Sequence, residues 1–190
     1  MKITELQAIN PDLYNTDKFG SSPLWRSHAY GEFYDNLLID KKDEKLNILE
    51  VGIYYGGSVK LFHDYLKNSN IIGVDIVDNW KNGNFSDFKR LTRHFFNAYD
   101  INSLNSFPVI KFDIIVDDGP HTYDSQLFAI NNFYDLLKPN GILIIEDVPT
   151  RSLTKLLVES KHKSNRFMVY NWVSKTGLDD DIILTIKKEL

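Results

Sequence analysis

The stretch from Phe112 to Val148, FDIIVDDGPHTYDSQLFAINNFYDLLKPNGILIIEDV, predicts a strand, a helix and a second strand. FDIIVDD (112–118) and GILIIEDV (141–148) are continuous apolar runs, which is typical of strands buried on both faces of a parallel sheet. Between them, Tyr123–Leu137 has a helical pattern, and Lys138-Pro139-Asn140-Gly141 is a helix-stop signal that leads into the second strand. The stretch is therefore predicted to form one βαβ unit.

Similar patterns continue on both sides of this unit. Five further strands are predicted at LNILEVGI (46–53), NIIGVDIV (70–77), a weaker run at His94–Tyr99, RFMVYNWV (166–173) and DIILTIKK (181–188). The last two runs are separated by only a short turn at Ser174–Asp180, which predicts an antiparallel pair that closes the sheet. Helical patterns are found at Ser27–Leu38, Ser58–Lys67, Leu153–Ser160 and, for a short helix, near Phe85–Thr92.

This order predicts an α/β fold, a doubly wound and mostly parallel seven-stranded sheet with an antiparallel C-terminal strand pair. We expect residues 1–190 to form a single domain, in which an N-terminal helical segment (1–44) precedes the core (45–190). An open sheet of this kind binds its ligand beyond the carboxyl ends of its strands, near the point where the strand order reverses. Functional side chains are therefore expected at that edge.

Composition limits the classes of function. The chain has 190 residues, 43% of them hydrophobic, which suits one domain with a substantial core. The net charge is −4 and the basic residues are scattered, which argues against nucleic acid or an anionic membrane as the main partner. The absence of cysteine excludes disulfides, thiolate zinc sites and cysteine nucleophiles. The first residues lack a long apolar run, so we expect no signal peptide and a cytoplasmic location.

The first predicted strand ends in Glu50-Val-Gly52-Ile-Tyr54-Tyr-Gly56-Gly57-Ser58. Glycines at a strand-to-helix turn let the backbone approach a ligand, and the next helix offers free N–H groups to a carboxylate. The spacing is E-x-G-x-x-x-G rather than the dinucleotide pattern G-x-G-x-x-G. Asp75 ends the second strand, where an acid can accept the hydroxyls of a ribose.

This pattern resembles the S-adenosylmethionine site of class I methyltransferases. The resemblance implies cofactor-binding roles for Glu50, Gly52, Tyr54, Gly56, Ser58 and Asp75. Asp100, after the weak third strand, is then placed to receive the adenine amino group, although a surface acid near a turn is an almost equally good interpretation.

Acids end both strands of the opening unit, as Asp117-Asp118 and Glu146-Asp147, and His121 follows Asp118 by three residues. Because parallel strands present their carboxyl ends at one edge, these groups are expected to converge there. Carboxylates are the hard ligands that Mg²⁺ prefers, and histidine, with an ordinary pKa of about 6.5, is a suitable general base. Each acid taken alone is better explained as a loop residue or a helix cap, for which Asp118 and Thr122 are the candidates.

The joint pattern resembles catechol O-methyltransferase and, more closely, the metal-dependent sugar O-methyltransferases of macrolide biosynthesis, with their D-D-G-S-H…I-E-D motif. Their T-D-K and H-x-Y-x-x-x-Y elements recur as Thr16-Asp17-Lys18 and at His28–Tyr34. The resemblance implies that the metal ligands are Asp118, Glu146 and Asp147, that His121 is the general base, and that Asp117 faces the cofactor or supports the loop. Thr16 and Lys18 are assigned to the cofactor side.

Two departures from that family matter. Pro120 replaces the usual serine, a change expected only to stiffen the turn. The additional N-terminal domain of the macrolide enzymes is not expected in this chain, which leaves a macrolide acceptor in doubt. The segment around Thr16 to Tyr34 is expected to form a partial lid over the cofactor. Alternatively, its aromatic residues are ordinary core residues of the first helix; these are Trp25, Tyr30, Phe33 and Tyr34.

The preferred interpretation is a Mg²⁺- and S-adenosylmethionine-dependent O-methyltransferase that acts on the hydroxyl of a sugar or glycoside. A catechol-like or other small hydroxylated acceptor remains open, as does a non-catalytic cofactor-binding module. A nicotinamide-dependent oxidoreductase is disfavoured because G-x-G-x-x-G is missing. A homodimer is expected by analogy only. We assign no role to His63, His94 or His162, and expect His162 in a solvated loop.

Overall fold

A single seven-stranded sheet organises the computed structural model, which describes residues 1–19, 27–162 and 167–189. The strands are β1 (Asn47–Val51), β2 (Asn70–Asp75), β3 (Leu91–Phe95), β4 (Phe112–Asp117), β5 (Leu137–Ile145), β6 (Phe167–Asn171) and β7 (Ile182–Lys187). Their spatial order is β3-β2-β1-β4-β5-β7-β6. The first five are parallel, and β7 runs antiparallel to both β5 and β6, which confirms the predicted fold class.

The helices of the described residues are α1 (Ile3–Ile9), α2 (Gly31–Leu38), α3 (Gly57–Tyr65), α4 (Tyr123–Asn132), α5 (Thr150–Glu159) and α6 (Val173–Thr176). Alternate residues of the central strands divide the core between the two faces of the sheet. Ile48 and Ile114 pack in the cluster that includes α1, α2 and α3, whereas Leu49 and Ile115 pack in the cluster that includes α4 and α5. Burial on both faces is why these strands read as continuous apolar runs.

Strand β5 begins earlier than predicted. Helix α4 ends at Asn132, a 3-10 turn covers Phe133–Leu136, and the Lys138–Gly141 segment, predicted to be a connection, belongs to the strand. Leu137 pairs with Phe112 before the register shifts by an irregularity, and Asn140 adopts a φ of 63°. Residues 138–141 have no partner in β4, so the turn signal Pro139-Asn140-Gly141 is accommodated as an irregularity inside the strand.

Other boundaries also differ from prediction. The weak third strand lies at Leu91–Phe95 rather than His94–Tyr99, because it pairs in parallel register with Ile71–Asp75. The short helix expected near Phe85–Thr92 is a single 3-10 turn at Phe85–Asp87, since so short a stretch cannot establish a helical period.

The N-terminal part differs as well. Helix α1 was not predicted, and α2 begins at Gly31 rather than Ser27 because Ala29 forms an antiparallel bridge with Phe19. Helix α6 begins at Val173, the last residue of the predicted 166–173 strand, and extends into the predicted Ser174–Asp180 turn. Trp25 and the first residue of the predicted 166–173 strand lie outside the described residues. Among the residues described, we find no helix that is both long and apolar enough to cross a bilayer.

Candidate cofactor and metal site

A cleft of about 740 Å³ lies beyond the carboxyl ends of β1, β2 and β4. This volume is within the range of small-molecule sites. It is located where the strand order reverses between β1 and β4, the place expected of a ligand in an open α/β sheet. Of the residues predicted from the sequence, those that line it are Thr16, Gly52, Tyr54, Ser58, Asp75, Asp118 and His121.

The glycine loop at one wall is shaped by close approach. Gly52 has a φ of +88°, and a Cβ there would lie 1.9 Å from the carbonyl oxygen of Asp118. Gly56 has a φ of +81°, and its Cβ would meet the Trp80 ring at 2.4 Å. Both positions therefore require glycine. Gly56 itself lies behind the lining, and Gly57 faces the cleft instead.

Asp75 anchors this loop as well as lining the cleft. Its Oδ2 accepts hydrogen bonds from the backbone N–H groups of Ile53, at 3.0 Å, and Tyr54, at 2.9 Å. Tyr54 has a φ of 45°, a strained conformation for a non-glycine residue. The acid at the end of β2 thus holds the backbone of the loop that follows β1.

Two predicted cofactor ligands lie beneath the cleft. Glu50 is fully buried, and its Oε2 accepts a 2.7 Å hydrogen bond from Ser58. Asp117 is also buried and accepts a hydrogen bond from the Tyr99 hydroxyl; its two predicted roles, facing the cofactor or supporting the loop, stay predictions. Burial raises the pKa of each carboxyl group to about 7.

Asp100 does not line the cleft. Its Oδ1 accepts a 2.9 Å hydrogen bond from the Asn102 N–H and thereby begins the 3-10 helix at Ile101–Ser106. The lining on this side comes from the segment just before it, Phe96–Tyr99. The structure therefore does not bring Asp100 to the place predicted for an adenine contact.

Lys18 lies among the acids rather than at the cofactor wall. Its Nζ donates hydrogen bonds to Asp118 and Glu146 and lies 3.3 Å from Oε1 of Glu50. The residue is only 1% exposed. Burial disfavours its charge, but the surrounding carboxylates outweigh burial and hold the pKa of Lys18 above its ordinary value.

Glu146 is occupied by the N-terminal part of the chain. Its Oε1 accepts a 2.6 Å hydrogen bond from the Tyr34 hydroxyl, and its Oε2 accepts from Lys18. Burial is the main reason why the pKa of Glu146 lies well above its ordinary value. The third predicted metal ligand is thus turned away from the cleft lining.

Asp118, His121 and Asp147 form a separate group that we call the front group. Nε2 of His121 lies 3.8 Å from Oδ1 of Asp118 and 3.6 Å from Oδ2 of Asp147. The three ligand atoms lie within 4.8 Å of one another. His121 and Asp147 have φ angles of 55° and 52°, which are strained conformations for residues other than glycine. The two carboxylates fit a divalent cation that keeps positions for water or substrate, and the imidazole lies beside them.

Side chains of the His28–Tyr34 element contact the carboxylates of Asp147, Asp181 and Glu146. Nε2 of His28 lies 3.5 Å from Oδ1 of Asp147, and Nδ1 lies 3.2 Å from Oδ1 of Asp181. Tyr30 and Tyr34 are each 1% exposed, so they are core residues, yet their hydroxyl groups donate to Asp147 and Glu146. The predicted lid over the cofactor stays a prediction; of this segment, residues 15–17 line the cleft.

The sequence interpretation missed two contributors to the site. Tyr99 donates a hydrogen bond to Asp117, and Asp181, the residue before β7, contacts His28. Neither belongs to a motif, and both partners are distant in sequence. His162 was also misassigned, because its ring stacks on Tyr134 at a centroid distance of 4.0 Å instead of lying in solvent.

A protein-family model, described as a methyltransferase domain, matches residues 49–148 of the sequence, which is more than half of the chain. The chain belongs to the methyltransferase domain family. The matched range begins in β1, contains the glycine loop and ends just after Asp147. It therefore contains the whole front group and most of the cleft lining.

Curated relatives of this methyltransferase domain include demethylmacrocin O-methyltransferase of Streptomyces fradiae, 26% identical over 75% of this chain and 38% of the relative. A second is 8-demethyl-8-alpha-L-rhamnosyl tetracenomycin-C 2'-O-methyltransferase of Streptomyces olivaceus, 25% identical over 68% of this chain and 35% of the relative. The chain thus spans little more than a third of the length of each.

Among solved structures, the fold is similar to the methyltransferase MycE from the mycinamycin biosynthetic pathway, in complex with Mg, SAH and mycinamycin VI. The TM-score is 0.72 at 18% identity, over 100% of this chain and 55% of MycE. At this identity, the match establishes the methyltransferase fold.

Proposed function

We propose that this methyltransferase domain transfers the methyl group of S-adenosylmethionine to a hydroxyl group of a sugar or glycoside, with a divalent cation such as Mg²⁺ at the front group. One observation carries the proposal: the glycine loop at Gly52 and the acid and imidazole groups of Asp118 and His121 line the same cleft. A methyl donor held by the loop therefore has the groups that activate a hydroxyl within the same cavity. The names of the two curated relatives, both O-methyltransferases, support the reaction class.

The cofactor is assigned to the wall formed by β1, β2 and the start of α3. The Gly52 backbone permits close approach, and the N-terminus of α3 at Gly57–Ser58 suits a carboxylate. Asp75 provides carboxylate oxygens on the cleft wall for ribose hydroxyl groups. Thr16 completes this wall from the N-terminal segment.

The cation is assigned to Asp118 and Asp147, whose carboxylates share the space next to His121. When bound, a divalent cation lowers the pKa of an acceptor hydroxyl group. His121 is the general base that accepts the hydroxyl proton, with Nε2 as the nitrogen that faces both carboxylates. Glu146, the third ligand implied by the resemblance, must release Lys18 before it can contribute to the same cation.

The rim of the cleft favours a sugar over a flat catechol. Tyr54 and Tyr55 stack at a centroid distance of 3.9 Å, and Tyr54 is 46% exposed. Asp17 lies on the same lining. An aromatic face beside polar groups suits a glycoside, whereas a catechol needs a narrow slot. The acids of the lining also disfavour a nucleic acid, whose phosphates require basic partners.

The test is formation of S-adenosylhomocysteine from S-adenosylmethionine with Mg²⁺ and four acceptors: methyl α-L-rhamnoside, a rhamnosyl polyketide glycoside, catechol and bulk tRNA. Turnover is expected with at least one glycoside and is expected to stop in EDTA. His121→Gln is expected to reduce turnover at least a hundredfold, within the usual range for loss of a general base. His94→Gln, on strand β3 outside the cleft lining, is the matched control.

Other outcomes lead to definite conclusions. Turnover of catechol alone replaces the sugar acceptor by the catechol-like alternative. Turnover of tRNA alone overturns the acceptor class. Calorimetric binding of S-adenosylmethionine without turnover of any acceptor favours the non-catalytic module, and failure to bind it under any condition removes the cofactor assignment.

A further inference from the structure

Lys18 lies among three carboxylates, of which Glu50 and Glu146 are buried and Asp118 is half-buried. Glu50, Asp118 and Glu146, which we call the rear trio, each offer one oxygen, and these oxygens lie within 4.8 Å of one another. Nζ of Lys18 contacts two of the three carboxylates through hydrogen bonds and lies 3.3 Å from Oε1 of Glu50. The ammonium group thus has the position that a cation would have in a three-carboxylate site.

Other carboxylate oxygens of the rear trio have hydrogen-bond donors within the protein. Oε2 of Glu50 accepts from Ser58, and Oε1 of Glu146 accepts from Tyr34. Oε1 of Glu50 is buried and has no hydrogen-bond partner, although Lys18 lies 3.3 Å away. This oxygen points at the cation position. Since a buried carboxylate that is ionised needs a compensating charge, a cation at this position is what lets the trio stay ionised.

Asp118 belongs to both groups. Its Oδ2 accepts from Lys18, whereas its Oδ1 lies 3.8 Å from His121 and belongs to the front group. One carboxylate is therefore oriented by Lys18 on one side and is available to a ligand on the other. Among the residues that the structure describes, the front group and the rear trio are the two groups whose geometry suits a metal ion.

We infer that Lys18 is a positioning residue that replaces a second divalent cation: its ammonium group fills the rear trio, orients Asp118, and restricts divalent cations to the front group. The front-group part rests on the proposed function. The rear-trio part does not, because it concerns a position that Lys18 fills. Removal of the ammonium group should therefore create a cation site from Glu50, Asp118 and Glu146.

The experiment counts Mn²⁺ ions per chain by equilibrium dialysis, with electron paramagnetic resonance to measure free Mn²⁺. We expect one ion for the wild type and two for Lys18→Met. Lys18→Arg keeps the charge and is expected to bind one. Lys60→Met removes another buried lysine, outside both groups, and is also expected to bind one. Lys18→Met/Glu50→Gln removes one ligand of the new site and should return to one.

Stability provides a second measurement. Without metal, Lys18→Met leaves two buried carboxylates and the half-buried Asp118 together, so its Tm should fall well below that of the wild type and rise again with Mn²⁺. If the variant is unfolded in EDTA, circular dichroism during a Mn²⁺ titration addresses the same question, and refolding supports the inference. Failure of Mn²⁺ to refold it overturns the inference, as does a folded variant that binds no more Mn²⁺ than the wild type.

The number of Mn²⁺ ions bound per chain also distinguishes a failure of this inference from a failure of the proposed function. A wild type that binds no ion, with Lys18→Met binding one, supports the role of Lys18 and contradicts the cation assigned to Asp118 and Asp147. A wild type and a variant that each bind one ion support the front group and overturn the role of Lys18.

Discussion

The Tyr30 hydroxyl group donates a 2.6 Å hydrogen bond to Oδ1 of Asp147, a residue 117 positions further along the chain. The backbone N–H of Asp147 also lies 3.3 Å from the same hydroxyl oxygen. Asp147 has a φ of 52°, so its backbone is strained where Tyr30 holds it. The N-terminal segment therefore determines the orientation of an acid at the end of β5, where the front group is formed.

Tyr30→Phe is expected to weaken Mn²⁺ binding by about 10- to 100-fold, the usual effect of losing a group that orients a metal ligand. It should also lower the free energy of unfolding by about 1–3 kcal/mol, because a buried carboxylate loses a donor. Mn²⁺ titration and urea unfolding measure the two effects. Tyr170→Phe, whose hydroxyl contacts the sulfur of Met168, is the control. Unchanged Mn²⁺ affinity in Tyr30→Phe would exclude this orienting role.

Gly52→Ala is expected to abolish S-adenosylmethionine binding and to destabilise the fold by more than about 1 kcal/mol. The new Cβ would lie 1.9 Å from the Asp118 carbonyl oxygen, in addition to the strain of a φ of +88°. Gly177→Ala separates the two causes, because Gly177 has a φ of +73° with nothing within 4 Å of its Cβ. Calorimetry and thermal unfolding provide the readout. Equal destabilisation in both variants would mean that backbone strain, and not close approach, explains the glycine.

Asp117→Asn is expected to change how stability depends on pH. Burial raises the pKa of Asp117 from 3.8 to about 7, so between these values the folded chain holds a proton that the unfolded chain has released. The wild type therefore loses stability as pH rises from about 4 to 7, by at most about 4 kcal/mol from this group. Above pH 7 the contribution is constant.

The asparagine cannot ionise and still offers an acceptor to Tyr99, so its stability relative to the wild type should increase from pH 4 to 7 and then level off. Urea unfolding in EDTA at four or five pH values measures this difference. The exposed Asp87→Asn is the control. Parallel pH profiles for the wild type and Asp117→Asn would contradict the raised pKa.

Asp75→Ala is expected to weaken S-adenosylmethionine binding at least tenfold, because it removes a cleft carboxylate and the two hydrogen bonds that hold the backbone at Ile53 and Tyr54. Asp100→Ala is expected to change the affinity less than twofold, since the Asp100 carboxylate begins a 3-10 helix outside the lining. Calorimetry compares the two. A large loss of affinity in Asp100→Ala would restore the adenine contact predicted from the sequence.

Much of the fold could be predicted from local patterns. Continuous apolar runs at Ile48 and Ile114 identify strands buried on both faces, because parallel sheets covered by helices leave no polar side. Gly52, Asp118 and Asp147 follow the carboxyl ends of β1, β4 and β5. The parallel topology alone therefore places them near one edge of the sheet. The seven-stranded α/β fold and the location of the cleft therefore followed from the sequence.

The partners of the buried acids were decided only by tertiary structure. Lys18 and Tyr34 reach Glu146 across more than a hundred residues, and no periodicity or spacing encodes which oxygen each donor meets. Strand pairing likewise moved the start of β5 to Leu137, ahead of the Pro139–Gly141 turn signal. Sequence determined which groups collect at the edge of the sheet; burial, which requires each charge and donor to find a partner, decided which of them face the cleft.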